Sequence, residues 1–280
     1  MGSLRAFEHD GLTFDYEDSG GHGDPVIVLH GYPGNHRSWD EVAPQLVDAG
    51  YRVLALDQRG YSPGARPRGR RAYTLRRLVG DLMALGDAAG APPFHVVGHD
   101  RGGAVGWAAA AWRPDRVASM TTVTTPHVRA MVRSMLSSTQ ALRSVYVLFF
   151  QLPWIPETAA TSGPGAAAFV RTLVTSGLSE QRAREYVSLL RSGAARPALN
   201  WYRAMPLNRL DRIGTVNVPV LYLYATEDFA ISRRAADLTG RYAAGPYHLA
   251  VLEGASHWVP EEHADVATPI LLGHLAAHPV

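Results

Sequence analysis

Short apolar runs alternate with stretches of helical periodicity along most of the 280-residue chain. A run of four to eight apolar residues is typical of a buried strand, whereas apolar positions spaced by three and four residues are typical of a helix with one buried face. Six segments fit the strand pattern, namely residues 25–30, 52–57, 94–98, 117–123, 219–225 and 248–252. Because helical patterns separate the central ones, the sequence predicts an α/β fold with a mostly parallel, doubly wound sheet.

The pattern changes between about residue 127 and residue 212. Strand-like runs disappear there, and helical periodicity, aromatic clusters and Pro/Gly breaks take their place. We expect this segment to be a helical lid, inserted into an α/β core that residues 1–126 and 213–280 form. Within the lid, the alanine-rich stretch 159–168 is predicted to be a flexible loop.

Composition excludes several kinds of site and partner. The chain has no cysteine, which excludes thiol catalysis, disulfides and thiolate metal sites, and its histidines lack the spacing of metal ligands. The formal net charge is only +2 and the basic residues are scattered, so a nucleic-acid partner is not expected. All 27 basic residues are arginine, which is typical of a GC-rich bacterial genome.

The sequence also predicts the compartment of the protein. No stretch approaches the roughly 18 apolar residues of a membrane span. The first ten residues carry charges where a signal peptide needs its apolar segment. We therefore expect a soluble, cytoplasmic protein without a membrane partner.

The third predicted strand, residues 94–98, leads into an unusual turn. Gly98 and Gly102 flank Asp100 in the pattern Gly-x-nucleophile-x-Gly, which joins a strand to a helix in a nucleophile elbow. Such a pattern also occurs by chance in turns, so its surroundings decide its meaning. A carboxylate with a reference pKa of about 4 is already ionised at neutral pH. It therefore attacks an alkyl carbon directly and forms an ester.

Three other strand ends carry the residues that this nucleophile needs. Tyr32 follows strand 25–30, and its backbone N–H is expected to form an oxyanion hole with the N–H of Arg101. Asp228 follows strand 219–225, where an acid orients a histidine, and Glu227 is the alternative acid. His257 follows strand 248–252, where the general base lies. The order of nucleophile, acid and histidine is the one expected for this architecture.

These motifs resemble the α/β-hydrolase superfamily over nearly the whole chain, and specifically its epoxide hydrolase branch. Two lid segments carry the more specific resemblance. Residues 144–153, SVYVLFFQLP, are similar to the segment that supplies one ring-opening tyrosine in epoxide hydrolases. Residues 199–203, LNWYR, are similar to the segment that supplies the other.

The resemblance assigns a role to each matching residue. It implies that Asp100 is the nucleophile, His257 the base and Asp228 its orienting acid, while Tyr146 and Tyr202 hydrogen-bond the epoxide oxygen. Two phenols with reference pKa values near 10 donate without prior ionisation as charge develops on that oxygen. The product is a vicinal diol, and no metal or organic cofactor is needed. The apolar pocket of an aromatic or apolar epoxide is expected to be lined by Trp201, Phe149, Trp258 and Pro33.

One departure from the family keeps alternatives open. Epoxide hydrolases commonly have tryptophan after the nucleophile, whereas this chain has Arg101, which resembles fluoroacetate dehalogenases with the same triad. A dehalogenase needs N–H donors for the halide. Tyr146 stands where one such donor is needed, and Tyr32 occupies the asparagine position of haloalkane dehalogenases. A catalytically silent, hydrolase-like binding protein is a further alternative, and a serine esterase is disfavoured because no serine occupies the elbow.

Overall fold

A computed structural model of the chain describes residues 2–91, 93–209 and 213–280. The predicted α/β fold is confirmed: the described residues form one eight-stranded sheet in the order β1-β2-β4-β3-β5-β6-β7-β8. Strands β3 to β8 pair in parallel, whereas β1 and β2 are antiparallel to their neighbours. The strands are β1 Ser3–His9, β2 Leu12–Asp18, β3 Pro25–Leu29, β4 Arg52–Leu56, β5 Phe94–His99, β6 Val117–Val123, β7 Val220–Ala225 and β8 Tyr247–Leu252.

Helices cover both faces of this sheet and form the segment between β6 and β7. The core helices are α1 Ala43–Asp48, α2 Leu75–Ala88, α3 Arg101–Trp112, α11 Arg233–Thr239, α12 Val259–Glu262 and α13 Ala264–Ala276. Those between β6 and β7 are α4 Val128–Met135, α5 Gln140–Arg143, α6 Val145–Phe149, α7 Ile155–Thr161, α8 Gly163–Thr175, α9 Glu180–Leu189 and α10 Ala195–Arg203. The lid boundary expected at residue 212 lies outside the described residues.

The central strands are mostly apolar because both of their faces are covered. Along β3, Val26 and Val28 belong to the apolar cluster on one face of the sheet, and Ile27 and Leu29 belong to the cluster on the other. Successive side chains of a strand point to opposite faces. The continuous apolar runs in the sequence therefore result from burial on both sides.

Two strands at the edge of the sheet were not predicted from the sequence. In β1, Leu4 is 68% exposed and Phe7 is the buried residue, so the strand has no continuous apolar run. In β2, Phe14 and Tyr16 alternate with more exposed residues. Edge strands with one solvated face carry this weaker, alternating signal.

The alanine-rich stretch 159–168 is helical, so the predicted flexible loop is wrong. Helix α7 ends at Thr161 and α8 begins two residues later at Gly163. Alanine is the best helix former, and Pro164 lies in the first turn of α8, where a missing N–H costs nothing. Low complexity in this stretch therefore reflects helix propensity.

Candidate active site

Asp100 lies at the tight turn between β5 and α3. Its backbone has φ +46° and ψ −120°, a conformation that residues with a side chain rarely adopt. The flanking glycines make this turn possible: a Cβ on Gly98 would lie 2.5 Å from the carbonyl oxygen of Gly102, and one on Gly102 would lie 2.3 Å from that of Leu29. The strained turn lifts the carboxylate to the carboxyl edge of the sheet.

A backbone N–H group donates to the Asp100 carboxylate. The N–H of Tyr32 donates a hydrogen bond to Asp100 Oδ2 at 3.0 Å. Arg101 is the first residue of α3, so its N–H has no partner within the helix. Gly31 permits the close approach of the two segments, because a Cβ there would lie 2.4 Å from the Cβ of Asp100. The segment after β3 thus places one N–H group on the carboxylate, and the N–H of Arg101 lies at the start of the helix that follows Asp100.

His257 and Asp228 form a buried pair at the ends of β8 and β7. His257 Nδ1 lies 2.9 Å from Asp228 Oδ2, and their relative exposures are only 3% and 2%. The other oxygen of Asp228 accepts hydrogen bonds from the N–H groups of Ala230 at 2.6 Å and Ile231 at 3.1 Å. Glu227, the alternative acid, is exposed. The carboxylate therefore holds the imidazole with Nε2 free to act on a substrate or water.

The charges of the site make His257 more basic than an isolated histidine. Burial lowers the pKa of His257, but the carboxylates of Asp228 and Asp100 outweigh it and raise the pKa from 6.5 to about 9. Two carboxylates thus favour the protonated ring while Asp100 is ionised.

His99 packs against His257 and bonds to its backbone. Its Nε2 donates a hydrogen bond to the backbone carbonyl oxygen of His257 at 2.9 Å, and the two ring centroids are 4.9 Å apart. Burial and the neighbouring His257 lower the pKa of His99 well below 6.5, so the ring stays neutral. This contact helps to fix the loop that carries His257.

Two tyrosines from the lid approach Asp100. Tyr146 is on α6 and Tyr202 is on α10, and their ring centroids are 6.1 Å apart. Burial and the charge of Asp100 raise the pKa of both phenols above the ordinary value of 10. Both hydroxyls therefore stay protonated at neutral pH and are available as donors.

These side chains line one cavity of about 790 Å³ between the core and the lid. Pro33 and Trp258 contribute to its wall, as expected from the sequence. The described lining residues are mostly apolar or aromatic: Tyr32, Pro33, Asp100, Tyr146, Phe150, Ala168, Phe169, Arg171, Thr172, Leu173, Thr175, Ser176, Tyr202, Phe229, Ala230, His257 and Trp258. The cavity brings the predicted nucleophile, base and both tyrosines to one space.

Two residues expected in the pocket lie elsewhere. Trp201 is 1% exposed, and its indole N–H donates to the backbone oxygen of Arg59 at 2.6 Å, so this side chain joins the lid to the core. Phe149 is 40% exposed and lies on the outer side of α6. Neither residue lines the cavity, and both expectations are wrong.

Comparison with known proteins identifies the family. The family model of the α/β-hydrolase fold matches residues 24–264. Epoxide hydrolase A of Mycobacterium tuberculosis is 31% identical to the chain and covers 97% of it, with 96% of that protein's own length aligned. The chain belongs to the α/β-hydrolase family, in its epoxide hydrolase branch.

Other members of the α/β-hydrolase family match over similar lengths. Protein YfhM of the same superfamily, from Bacillus subtilis, is 33% identical, with 95% of each chain covered. The crystal structure of epoxide hydrolase A from Mycobacterium thermoresistibile superposes with a TM-score of 0.83 at 29% identity, covering 99% of this chain and 98% of that one. The likeness therefore extends through the core and the lid.

Several cavity residues of this hydrolase were missed by sequence reasoning. Phe169 and Leu173 lie four residues apart on α8, and the predicted loop 159–168 covers the first part of this helix. Phe229 follows Asp228 directly, and its ring centroid lies 5.1 Å from that of His257. The helical spacing of Phe169 and Leu173 was a usable signal, since residues four apart share a helix face.

Proposed function

We propose that the protein hydrolyses an apolar or aromatic epoxide to a vicinal diol through a covalent ester on Asp100. One observation carries this proposal: a carboxylate, two phenols and a carboxylate-paired histidine line the same cavity. A carboxylate that attacks carbon needs acids aimed at the oxygen that leaves. The two phenols supply these acids.

In the first step, a carboxylate oxygen of Asp100 attacks one epoxide carbon. The new carbon–oxygen bond forms as the ring carbon–oxygen bond breaks, and Tyr146 and Tyr202 stabilise the ring oxygen by hydrogen bonding. One phenol proton then passes to that oxygen, which becomes the hydroxyl of a hydroxyalkyl ester. The raised pKa of both phenols keeps these protons in place until charge develops.

In the second step, His257 takes a proton from water, and the resulting hydroxide attacks the ester carbonyl carbon of Asp100. Negative charge then develops on the carbonyl oxygen, beside the N–H groups of Tyr32 and Arg101. Collapse of this intermediate breaks the bond to the alkyl oxygen, which takes the proton from His257. The products are the diol and Asp100 as a carboxylic acid, whose proton returns through solvent to the phenolate that the first step left, so that the carboxylate and both phenols are restored.

The cavity supports the substrate class. Its wall includes Phe150, Phe169, Leu173, Phe229 and Trp258, all of which present apolar surface. Burial of apolar surface stabilises the complex by about 25 cal/mol per Å² removed from water. Styrene-type and polycyclic epoxides therefore suit this cavity better than small polar ones.

Halide release fits the site less well than epoxide opening. Halide binding requires N–H donors that point into the cavity. The indole N–H of Trp258 already donates to Ser176 Oγ at 2.9 Å, and that of Trp201 donates to the backbone of Arg59. Both tryptophans nearest the site are thus occupied.

Incubation with a panel of styrene-type and polycyclic epoxides in isotopically labelled water tests the proposal. Diol formation is expected, and in a single turnover the label should enter the Asp100 carboxylate instead of the diol, because water attacks the ester carbonyl. Direct labelling of the diol in the first turnover would exclude the ester. Faster halide release from haloacids or haloalkanes would favour the dehalogenase, and no covalent adduct with any epoxide would favour the binding protein.

A further inference from the structure

Arg101 replaces the tryptophan that commonly follows the nucleophile, and its side chain lies beside a catalytic tyrosine. The guanidinium carbon Cζ is 5.5 Å from the ring centroid of Tyr202, on the face of the ring. A cation at this distance from an aromatic face is attracted by the electron density of the ring. The same contact draws electron density away from the phenol oxygen.

The guanidinium reaches Tyr202 from outside the substrate cavity. A second, smaller cavity of about 110 Å³ is lined by Arg101 and also by Asp100, Tyr146 and Tyr202. Those three residues line the large cavity as well, whereas Arg101 lines only the small one. Arg101 is therefore placed to act through the phenol of Tyr202.

Arg101 has no ion-pair partner among the described residues, although Asp100 lines the same small cavity. Its Nε is buried and has no hydrogen-bond partner. In the described part of the chain, no ion pair joins it to Asp100 or to another carboxylate. Arg101 is half-buried, so solvent screens its guanidinium less than it screens a fully exposed charge.

We propose that Arg101 makes the Tyr202 phenol a stronger donor to the epoxide oxygen and thereby accelerates ring opening. This inference rests on the proposed function. As Asp100 attacks, the negative charge leaves its carboxylate and appears on the ring oxygen held by the phenols. Proton transfer from Tyr202 to that oxygen leaves a tyrosinate beside the guanidinium. The tyrosinate later recovers its proton from solvent.

The expected effect is confined to one step of the reaction. Arg101 stabilises charge at Tyr202 during ring opening, whereas ester hydrolysis places its charge on the carbonyl oxygen beside the Tyr32 N–H. Arg101 is thus a positioning residue for Tyr202. Removal of its charge should slow ester formation and leave ester hydrolysis nearly unchanged.

Stopped-flow single turnover of styrene oxide separates the two steps. Arg101→Met should slow ring opening by roughly ten- to thirtyfold, the range for a desolvated cation–aromatic contact, and hydrolysis should change by less than about threefold. Arg101→Lys should recover most of the ring-opening rate because it keeps the charge. Arg129→Met is the matched control, since Arg129 lies 5.2 Å from the ring of Tyr242, outside the site, and its loss should change neither step.

A double-mutant cycle with Tyr202→Phe identifies the group through which Arg101 acts. In the Tyr202→Phe background, Arg101→Met should have less than about a twofold further effect on ring opening. The inference is overturned if Arg101→Met slows ring opening equally in both backgrounds or slows ring opening and ester hydrolysis equally. A raised KM with an unchanged ring-opening rate would also overturn it. Circular dichroism checks the fold, and Arg101→Gln replaces the methionine variant if that variant does not fold.

The outcomes distinguish this inference from the proposed function. If wild type forms no ester on Asp100, the proposed function fails. If wild type forms the ester and Arg101→Met forms it equally fast, only the role of Arg101 is refuted.

Discussion

The pair of His257 and Asp228 yields the most specific prediction, because the structure determines which way an amide would face. In Asp228→Asn, the side-chain oxygen is expected to stay with the N–H groups of Ala230 and Ile231, which now donate to Oδ1. The new amide nitrogen must then face His257 Nδ1. Nδ1 then accepts a hydrogen bond from the amide, so the ring proton moves to Nε2. Ester hydrolysis needs Nε2 without a proton, because this nitrogen takes one from water.

The expected decrease in the rate of ester hydrolysis follows from the negative charge that Asp228→Asn removes. The difference between 6.5 and about 9 in the pKa of His257 corresponds to about 3 kcal/mol of preference for the protonated ring, and Asp228 is the largest favourable cause. Together with the wrong tautomer, this loss should slow ester hydrolysis by roughly a thousand- to ten-thousandfold. Ring opening by Asp100 should change much less, so the ester should accumulate.

Intact-mass spectrometry during a single turnover measures that ester directly. The Asp228→Asn protein should gain the mass of the epoxide and retain it. Glu227→Gln is the matched control, because it removes one negative charge from the adjacent, exposed residue and should hydrolyse the ester normally. A near wild-type hydrolysis rate in Asp228→Asn would refute the assignment of Asp228 as the orienting acid.

Three further predictions test the other residues of the site. Asp100→Ala should retain the fold but form no ester, and activity within tenfold of wild type would contradict the covalent mechanism. In the same variant, NMR titration should show that the pKa of His257 falls from about 9, because a neighbouring negative charge is gone. His257→Gln should form the ester and fail to hydrolyse it, and absence of the adduct with bound substrate would exclude His257 as the base of that step. Tyr146→Phe and Tyr202→Phe should each slow ester formation by roughly ten- to a thousandfold, and the double variant should be nearly inactive toward epoxides; a near wild-type rate would favour the dehalogenase.

The residues at strand ends were predictable because the fold determines where they lie. Asp100, Asp228 and His257 each follow an apolar run, and the carboxyl ends of parallel strands meet at one edge of the sheet. Local sequence thus specified three side chains that are distant along the chain but adjacent in space. The edge strands β1 and β2 escaped prediction because their apolar positions are few and one face is solvated.

The orientation of the lid helices was harder to predict. Trp201 and Tyr202 are neighbours on α10, and successive residues of a helix point about 100° apart, so only one of them faces the cavity. Tyr146 on α6 and Phe150, the residue that follows this helix, are four residues apart and both line the cavity, while Phe149 lies on the outer side. Periodicity describes which residues share a face, but the packing of the whole lid decides which face turns inward.

The charge of Asp100 connects the two halves of the proposed mechanism. While Asp100 is ionised, its carboxylate helps to raise the pKa of His257 to about 9, so the histidine is mostly protonated at neutral pH. Ester formation removes that negative charge, and the pKa of His257 must then fall, because Asp100 was one of the groups that raised it. A lower pKa favours loss of the ring proton to solvent, and the neutral ring is the form that takes a proton from water. The same event transfers negative charge to the oxygen held by Tyr146 and Tyr202, so one displacement both opens the ring and prepares the base for hydrolysis.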